Sequence, residues 1–188
     1  KEINNLKIAY SFFGEVKELD PLNVNDIYKA NLLENLYVRL LEYDNDGNLS
    51  CNLCTEYYVI GNELRFKIRD DIKTIDGFVI NVNDVESSLK RLVKAQTNSH
   101  GELKIFLDSN NGIYSDGDYL VLKMKNQSFV KFILPILTSM DYSIIPNESI
   151  NNKNEIFDYR NTSGPYYVES EEEEKIILKA NPNNINFD

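Results

Sequence analysis

The sequence predicts a mixed α/β fold whose middle region is rich in antiparallel strands. Strand-like and helix-like runs alternate along the 188 residues. Two local hairpins, turning at Gly61-Asn62 and Asp116-Gly117, lie in the middle, where Gly supplies the positive φ that tight strand connections need. The longest apolar run, Phe129 to Leu137, is interrupted by Lys131 and Pro135 and falls far short of the roughly 18 residues of a membrane span.

Leu6 to Phe12 reads as a β-strand, with the β-branched and aromatic content that strands favour. Val24 to Tyr43 reads as a helix, since Leu33, Leu36, Tyr37, Leu40 and Leu41 recur at spacings of three and four. Asn23 or Asn25 can cap its start. Asn48 to Ile60 and Glu63 to Arg69 read as paired strands. Asp76-Gly77 is a turn dipeptide, and a helix over Val82 to Lys94 follows it. Asn81 can cap that helix, and Asp84 stands where the capping-box acid belongs.

Beyond the polar break at residues 96–101, Gly112–Ser115 and Asp118–Lys125 predict the second hairpin. There Val121, Lys123 and Lys125 alternate with Leu120, Leu122 and Met124, which implies one wet face. A short helix over Phe129–Thr138 is bent at Pro135. Strands over Tyr142–Ile145, Tyr166–Glu169 and Lys175–Lys179 complete the pattern, and no internal repeat is visible.

Composition narrows the function. With 42% hydrophobic and 27% charged residues the chain has an ordinary globular make-up. A formal net charge of −10 disfavours nucleic acid, whose non-specific binding relies on Lys and Arg neutralising phosphates. It likewise disfavours an anionic membrane surface.

Catalytic constellations are sparse. Cys51-Asn52-Leu53-Cys54 is a C-x-x-C, but zinc needs two further ligands, and the chain holds no other cysteine and one histidine, His100. A thioredoxin-like motif begins a helix, whereas this one lies in a strand-like segment. It reads as two buried small side chains, with a disulfide across the pair as the other reading. His100 lies in a polar loop with no nucleophile motif nearby. Glu171 to Glu174 read as a solvated turn between two strands. No catalytic residue, metal or cofactor is assigned.

Three blocks carry a resemblance. Arg69-Asp70, Asp76-Gly77, Asp84-Val85 and Lys90-Arg91 follow a strand. Upstream lie Leu19-Asp20-Pro21, Asn35-Leu36-Tyr37 and Asp46-Gly47-Asn48-Leu49; downstream, Thr162-Ser163-Gly164-Pro165-Tyr166 and Asn181-Pro182-Asn183. In this order they resemble the family 5 extracellular solute-binding proteins, the dipeptide and oligopeptide receptors of ABC importers. Departures are Cys51 for a usual Pro, Cys54 for Ala, Tyr57 for Trp, Arg39 for a small residue, Val79 for Pro, and Ser163 inserted into the T-G-P-Y motif. They bear on substrate class more than on fold.

The resemblance covers the N-terminal portion of a much longer protein. It implies a lobe of the periplasmic-binding-protein type II kind. Residues 1–38 and 161–188 would belong to ligand-binding lobe I, residues 39–160 to a small accessory subdomain, and a second lobe would lie outside this chain. It implies a non-enzymatic peptide receptor, monomeric, delivering ligand to ABC permease subunits from the periplasm or the outer face of the membrane. Such a receptor would be lipid-anchored, its secretion signal removed. Aligned from Asp20-Pro21, Asn25 and Ile27 would face ligand, the segment pairing by its backbone with an extended peptide; Asp26 and Tyr28 beside them would join the ligand-binding set, and the loop with His100 would also reach it. Asp76, Gly77, Asp84, Gly164, Pro165 and Tyr166 would be structural. Two alternatives stay open: another cargo on the same scaffold (a nickel-chelate, a sugar or a signalling peptide), or a thiol- or metal-active domain using Cys51 and Cys54.

Overall fold

Strand β9 (Lys175–Ala180) is the middle of a three-stranded antiparallel sheet, flanked by β1 (Lys7–Tyr10) and β8 (Tyr166–Glu172). Its period-two pattern is physical: Ile176, Leu178 and Ala180 are buried, and Lys175 is exposed. Helix α1 (Ile27–Leu36) packs on β8 and sends Leu32, Leu33 and Leu36 into a core shared with Leu19, Tyr37, Ile145 and Tyr166. The computed structural model describes residues 7–10, 19–24, 27–95, 102–172 and 175–184. The chain forms two units. Unit 1 is Lys1–Val38, Asp71–Ile80 and Ile145–Asp188, and unit 2 is Arg39–Asp70 and Asn81–Ile144.

Helix α1 stops earlier than the apolar spacing predicts, and Leu41–Tyr43 form strand β2 instead of a last helical turn. The cause is tertiary. A continuing helix would direct the Leu40 N–H to the Leu36 carbonyl, but that oxygen accepts from Gly164 N at 2.8 Å. The Val38 N–H donates to Ser163 Oγ at 3.1 Å rather than to the turn before it. Two long-range bonds thus replace the intrahelical ones.

Segment 71–80 belongs to unit 1, as does 145–160; the sequence boundaries assigned both to the middle subdomain. Segment 71–80 is a small hairpin: Thr74 N donates to Phe78 O at 2.9 Å, Gly77 N to Thr74 O at 3.0 Å, and Lys73 bridges Val79. Asn181 and Asn183 hold it to unit 1. Asn181 Nδ2 donates to Lys73 O at 2.8 Å, and Asn183 Nδ2 to Thr74 O at 2.9 Å. Gly77 has φ 90° with open space where a Cβ would stand, so any penalty there is purely backbone. Gly77→Val is expected to lower stability by about 1–2 kcal/mol, the cost of a β-branched residue in the left-handed region. An unchanged urea midpoint would contradict this. Asp76 is exposed, and its carboxylate makes no hydrogen bond among the described residues, so the turn rests on Gly77 and Thr74.

Unit 2 carries a four-stranded antiparallel sheet in the order β4 (Cys54–Ile60), β5 (Glu63–Ile68), β7 (Tyr119–Lys123), β6 (Ile113–Asp116). Strands β2 and β3 (Leu49–Cys51) pair separately. Helix α2 (Val82–Lys94) packs against β6 and β7. Its capping box is formed, Asn81 N donating to Asp84 Oδ2 at 2.8 Å, and Asp84 is buried. Two short helices follow, α3 (Glu102–Phe106) and α4 (Val130–Ile136), the latter entered by a 3-10 turn and containing Pro135.

Two further expectations fail. Val121 is buried rather than wet. It pairs with Arg65 and Tyr114, and a polar network lies on its face. Arg65 bonds Glu63 at 2.9 Å and also Asp116, its guanidinium lies 5.5 Å from the Tyr119 ring, and Tyr114 donates to Glu63 at 2.6 Å. That hydrogen bond holds the Glu63 carboxyl below its ordinary range and pushes the Tyr114 phenol up. Tyr142–Ile145, expected as a strand, form none: Tyr142 closes a 3-10 turn over Met140–Tyr142, and Ser143 to Ile145 lie outside any helix or strand. All four residues are buried, and a short, fully buried run has no periodicity to mark its backbone type.

Cys51 and Cys54 form a disulfide, which overturns their reading as two buried thiols. The β2–β3 ladder ends at the Leu41–Cys51 pair, and β4 begins at Cys54. Between them Asn52 N and Leu53 N both donate to Leu40 O, at 3.0 and 3.3 Å. This fold brings the two Cα atoms to 5.1 Å, within the range a disulfide spans. No helix among the described residues is long and apolar enough to cross a membrane.

Candidate ligand-binding site

A capped 3-10 turn precedes α1 in the chain. Leu19 is fully buried, and Asp20 caps a 3-10 turn over Pro21–Asn23 by accepting from Leu22 N at 2.9 Å. Pro21 fits the first position of that turn because its missing N–H would have no partner there. Val24, which follows the turn, packs against the unit 1 core.

At the start of α1 the apolar order reverses. Ile27 is 70% exposed and Tyr28 64%, whereas Lys29 and Ala30 are buried. Two adjacent large apolar side chains thus face solvent on a helix that buries a lysine. They are the first two residues of α1, so Ile27 presents its side chain, not an extended backbone edge. Asn25, Asp26 and His100 lie outside the described residues.

Of the predicted structural residues, Gly164, Pro165 and Tyr166 meet in one buckle. Gly164 N meets Leu36 O, Asn181 N donates to Pro165 O at 2.8 Å, and Thr162 Oγ1 donates to Tyr166 O at 2.7 Å. Asn184 Nδ2 donates to Ser163 O at 3.3 Å. Tyr166 opens β8 opposite Ala180. The buckle joins α1, β8 and the chain after β9, so it sets the direction from which α1 presents Ile27 and Tyr28. Sequence reading missed that Asn181 and Asn183 reach back to segment 71–80; their motif was visible, its partner was not.

Both sulfurs of the C-x-x-C are consumed in the disulfide, and among the described residues no group of three His, Cys, Asp or Glu side chains could hold a metal ion.

Comparison with known proteins agrees with this architecture. NikA of Brucella suis, solved in complex with Fe(III)-EDTA, has a TM-score of 0.76 and 19% identity, covering 94% of this chain and 36% of NikA. The substrate-binding domain of an oligopeptide ABC transporter from Bacillus anthracis has a TM-score of 0.77 and 16% identity, covering 94% and 38%. A periplasmic oligopeptide-binding protein of Borrelia burgdorferi has a TM-score of 0.76 and 20% identity, covering 94% and 39%. The fold is that of periplasmic-binding-protein type II structures, and the chain spans well under half the length of these three proteins. No curated protein matches it by sequence. Residues 53–185 match the model described as bacterial extracellular solute-binding proteins, family 5 Middle. This chain therefore belongs to the family 5 bacterial extracellular solute-binding proteins.

Proposed function

We propose that the chain is part of the substrate-binding component of an ABC importer, and that its cargo is a dipeptide or oligopeptide. The observation that carries the reading is the exposed pair Ile27 and Tyr28 at the start of α1, delivered by the buried Leu19-Asp20-Pro21 turn. Exposed apolar side chains on a fixed scaffold gain by burial against a ligand. Asn25 and Asp26 precede them in sequence, and with His100 they are our candidates for polar contacts to the peptide.

Unit 1 acts as one wall of the site, unit 2 as an accessory body, and a second lobe closes over the ligand by hinge motion. The receptor works as a monomer without covalent chemistry, on the outer side of the membrane, held by a lipid anchor, and passes its cargo to permease subunits. Other cargo on the same scaffold is the second reading, favoured by the Fe(III)-EDTA held by NikA.

Two-walled burial makes affinity depend on both lobes. Calorimetry with a pool of di- to hexapeptides is expected to give binding weaker than about 100 μM for these 188 residues, and micromolar or tighter once a second lobe is joined to them. Ile27→Asp should abolish the tight mode. Tight binding by the 188-residue chain alone, or no effect of that substitution, would overturn the assignment. Binding of a metal chelate but no peptide by the two-lobe protein would select the second reading.

A further inference from the structure

Unit 2 holds a cavity of about 630 Å3 between the end of α2, helix α3 and the loop before β6. It falls in the size range of small-molecule sites. Val93, Leu107 and Ile113 supply apolar lining, and Leu107 and Ile113 are buried. Four lysines, Lys90, Lys94, Lys104 and Lys125, line it against a single carboxylate, Asp108. In a chain of net charge −10 this is a local inversion of sign.

The carboxylate does not cancel the lysines. Asp108 accepts from Asn110 N at 3.0 Å and lies 3.7 Å from Lys123 Nζ, and these contacts, the backbone N–H first, hold its carboxyl below the ordinary range. Lys90 is paired with Glu86 at 2.5 Å, and Lys125 donates to the neutral carbonyl of Ile105 at 2.8 Å while its charge also acts on Asp108 at longer range. Lys94 and Lys104 make no ion pair among the described residues. Lys94 stands in the last turn of α2, where the helix dipole favours a cation. That accounts for one lysine and leaves the convergence of the others from three separate elements.

The floor is built in advance. Asp108 N donates to Lys123 O at 2.8 Å and Lys123 N to Gly112 O at 2.9 Å, pinning both ends of the loop to β7. A Cβ on Gly112 would lie 2.7 Å from Asp108 O and from Leu107 Cβ, so the loop closes only with glycine there.

We propose that this cavity binds a small amphipathic anion, a carboxylate or phosphate group on an apolar body, with Lys94 and Lys104 receiving the charged head. The site is distinct from the peptide site proposed on unit 1, and neither reading rests on the other. An acidic ligand there would make unit 2 a sensing or anchoring body rather than a spacer.

The test uses the full 188-residue chain and three probes, 4-phenylbutyrate, 4-phenylbutanol and acetate, followed by calorimetry and by amide chemical shifts. We expect saturable one-to-one binding of 4-phenylbutyrate that weakens with added salt, with the alcohol and acetate each about tenfold weaker or worse. A Lys94→Gln/Lys104→Gln double variant should lose about tenfold in affinity for the anion while keeping its melting temperature, since both side chains are exposed. Equal affinity for acid and alcohol, unchanged affinity in the double variant, or no saturation by millimolar probe would each overturn the proposal. Flotation with phosphatidylglycerol vesicles but no saturation by soluble 4-phenylbutyrate would also overturn it, because a lipid surface would then be the occupant.

Discussion

Replacing Gly164 with alanine is expected to lower the stability of unit 1 by about 3 kcal/mol or more, the upper part of the range for forced overpacking. A Cβ there would stand 2.4 Å from Leu36 C and 2.6 Å from Leu36 O and Tyr37 N. All three are backbone atoms at the end of α1, so no rotamer change relieves the clash. The chain must separate, and separation breaks the Gly164 N to Leu36 O bond and strains the Val38 N to Ser163 Oγ bond. Because the chain has two units, unfolding should be followed with a probe in each. The unit 1 transition should move to lower urea while that of unit 2 moves less. A loss of less than about 1 kcal/mol would show that the close approach is not needed.

Asn181→Ala is expected to cost about 2–3 kcal/mol, because it removes a fully buried amide and strips partners from three backbone groups, buried or half-buried, at once. Asn181 is fully buried; its Nδ2 donates to Lys73 O at 2.8 Å and to Gly164 O at 3.4 Å, and its Oδ1 accepts from Asn183 N at 3.0 Å. Alanine keeps the backbone bond from Asn181 N to Pro165 O, so the loss isolates the side chain. Exposed Pro182, changed to alanine, should shift stability by less than about 0.5 kcal/mol. Equal effects of the two substitutions in urea melts would refute the assigned role. Asn181→Ala should also raise amide exchange in segment 71–80, since that hairpin loses a fastening.

The legible parts of the fold were local ones. Helix α2 begins and ends as its cap and apolar face dictate, from Val82 to Lys94, and the turns at Gly61, Gly77 and Gly117 all have positive φ. Illegible features came from partners distant in sequence. Leu40 and Leu41 continue the helical spacing of α1, yet Gly164 and Ser163 end the helix before them. Helix α3 is only Glu102–Phe106, too short to show a period. The disulfide was one of two open readings because spacing alone says nothing of how a strand turns between two cysteines. At the proposed site, Ile27 and Tyr28 were marked by motif alignment rather than by any residue chemistry, and solvent exposure was invisible in the letters. The lysines of unit 2 were individually unremarkable; only the fold gathers positions 90, 94, 104 and 125.

Neither unit is one continuous piece of chain, and this governs the order in which synthesis can complete them. Unit 2 has all its residues once Ile144 has emerged, whereas unit 1 must wait for β8 and β9. Val38 and its acceptor Ser163 are 125 residues apart. At a ribosomal rate of roughly 5–20 residues per second, the apolar face of α1 would be without its sheet for about 6–25 s. A nascent chain would then hold Leu32, Leu33 and Leu36 as a temporary binding surface for chaperones, a window that begins to close with Gly164 at the helix end and shuts when β8 and β9 follow.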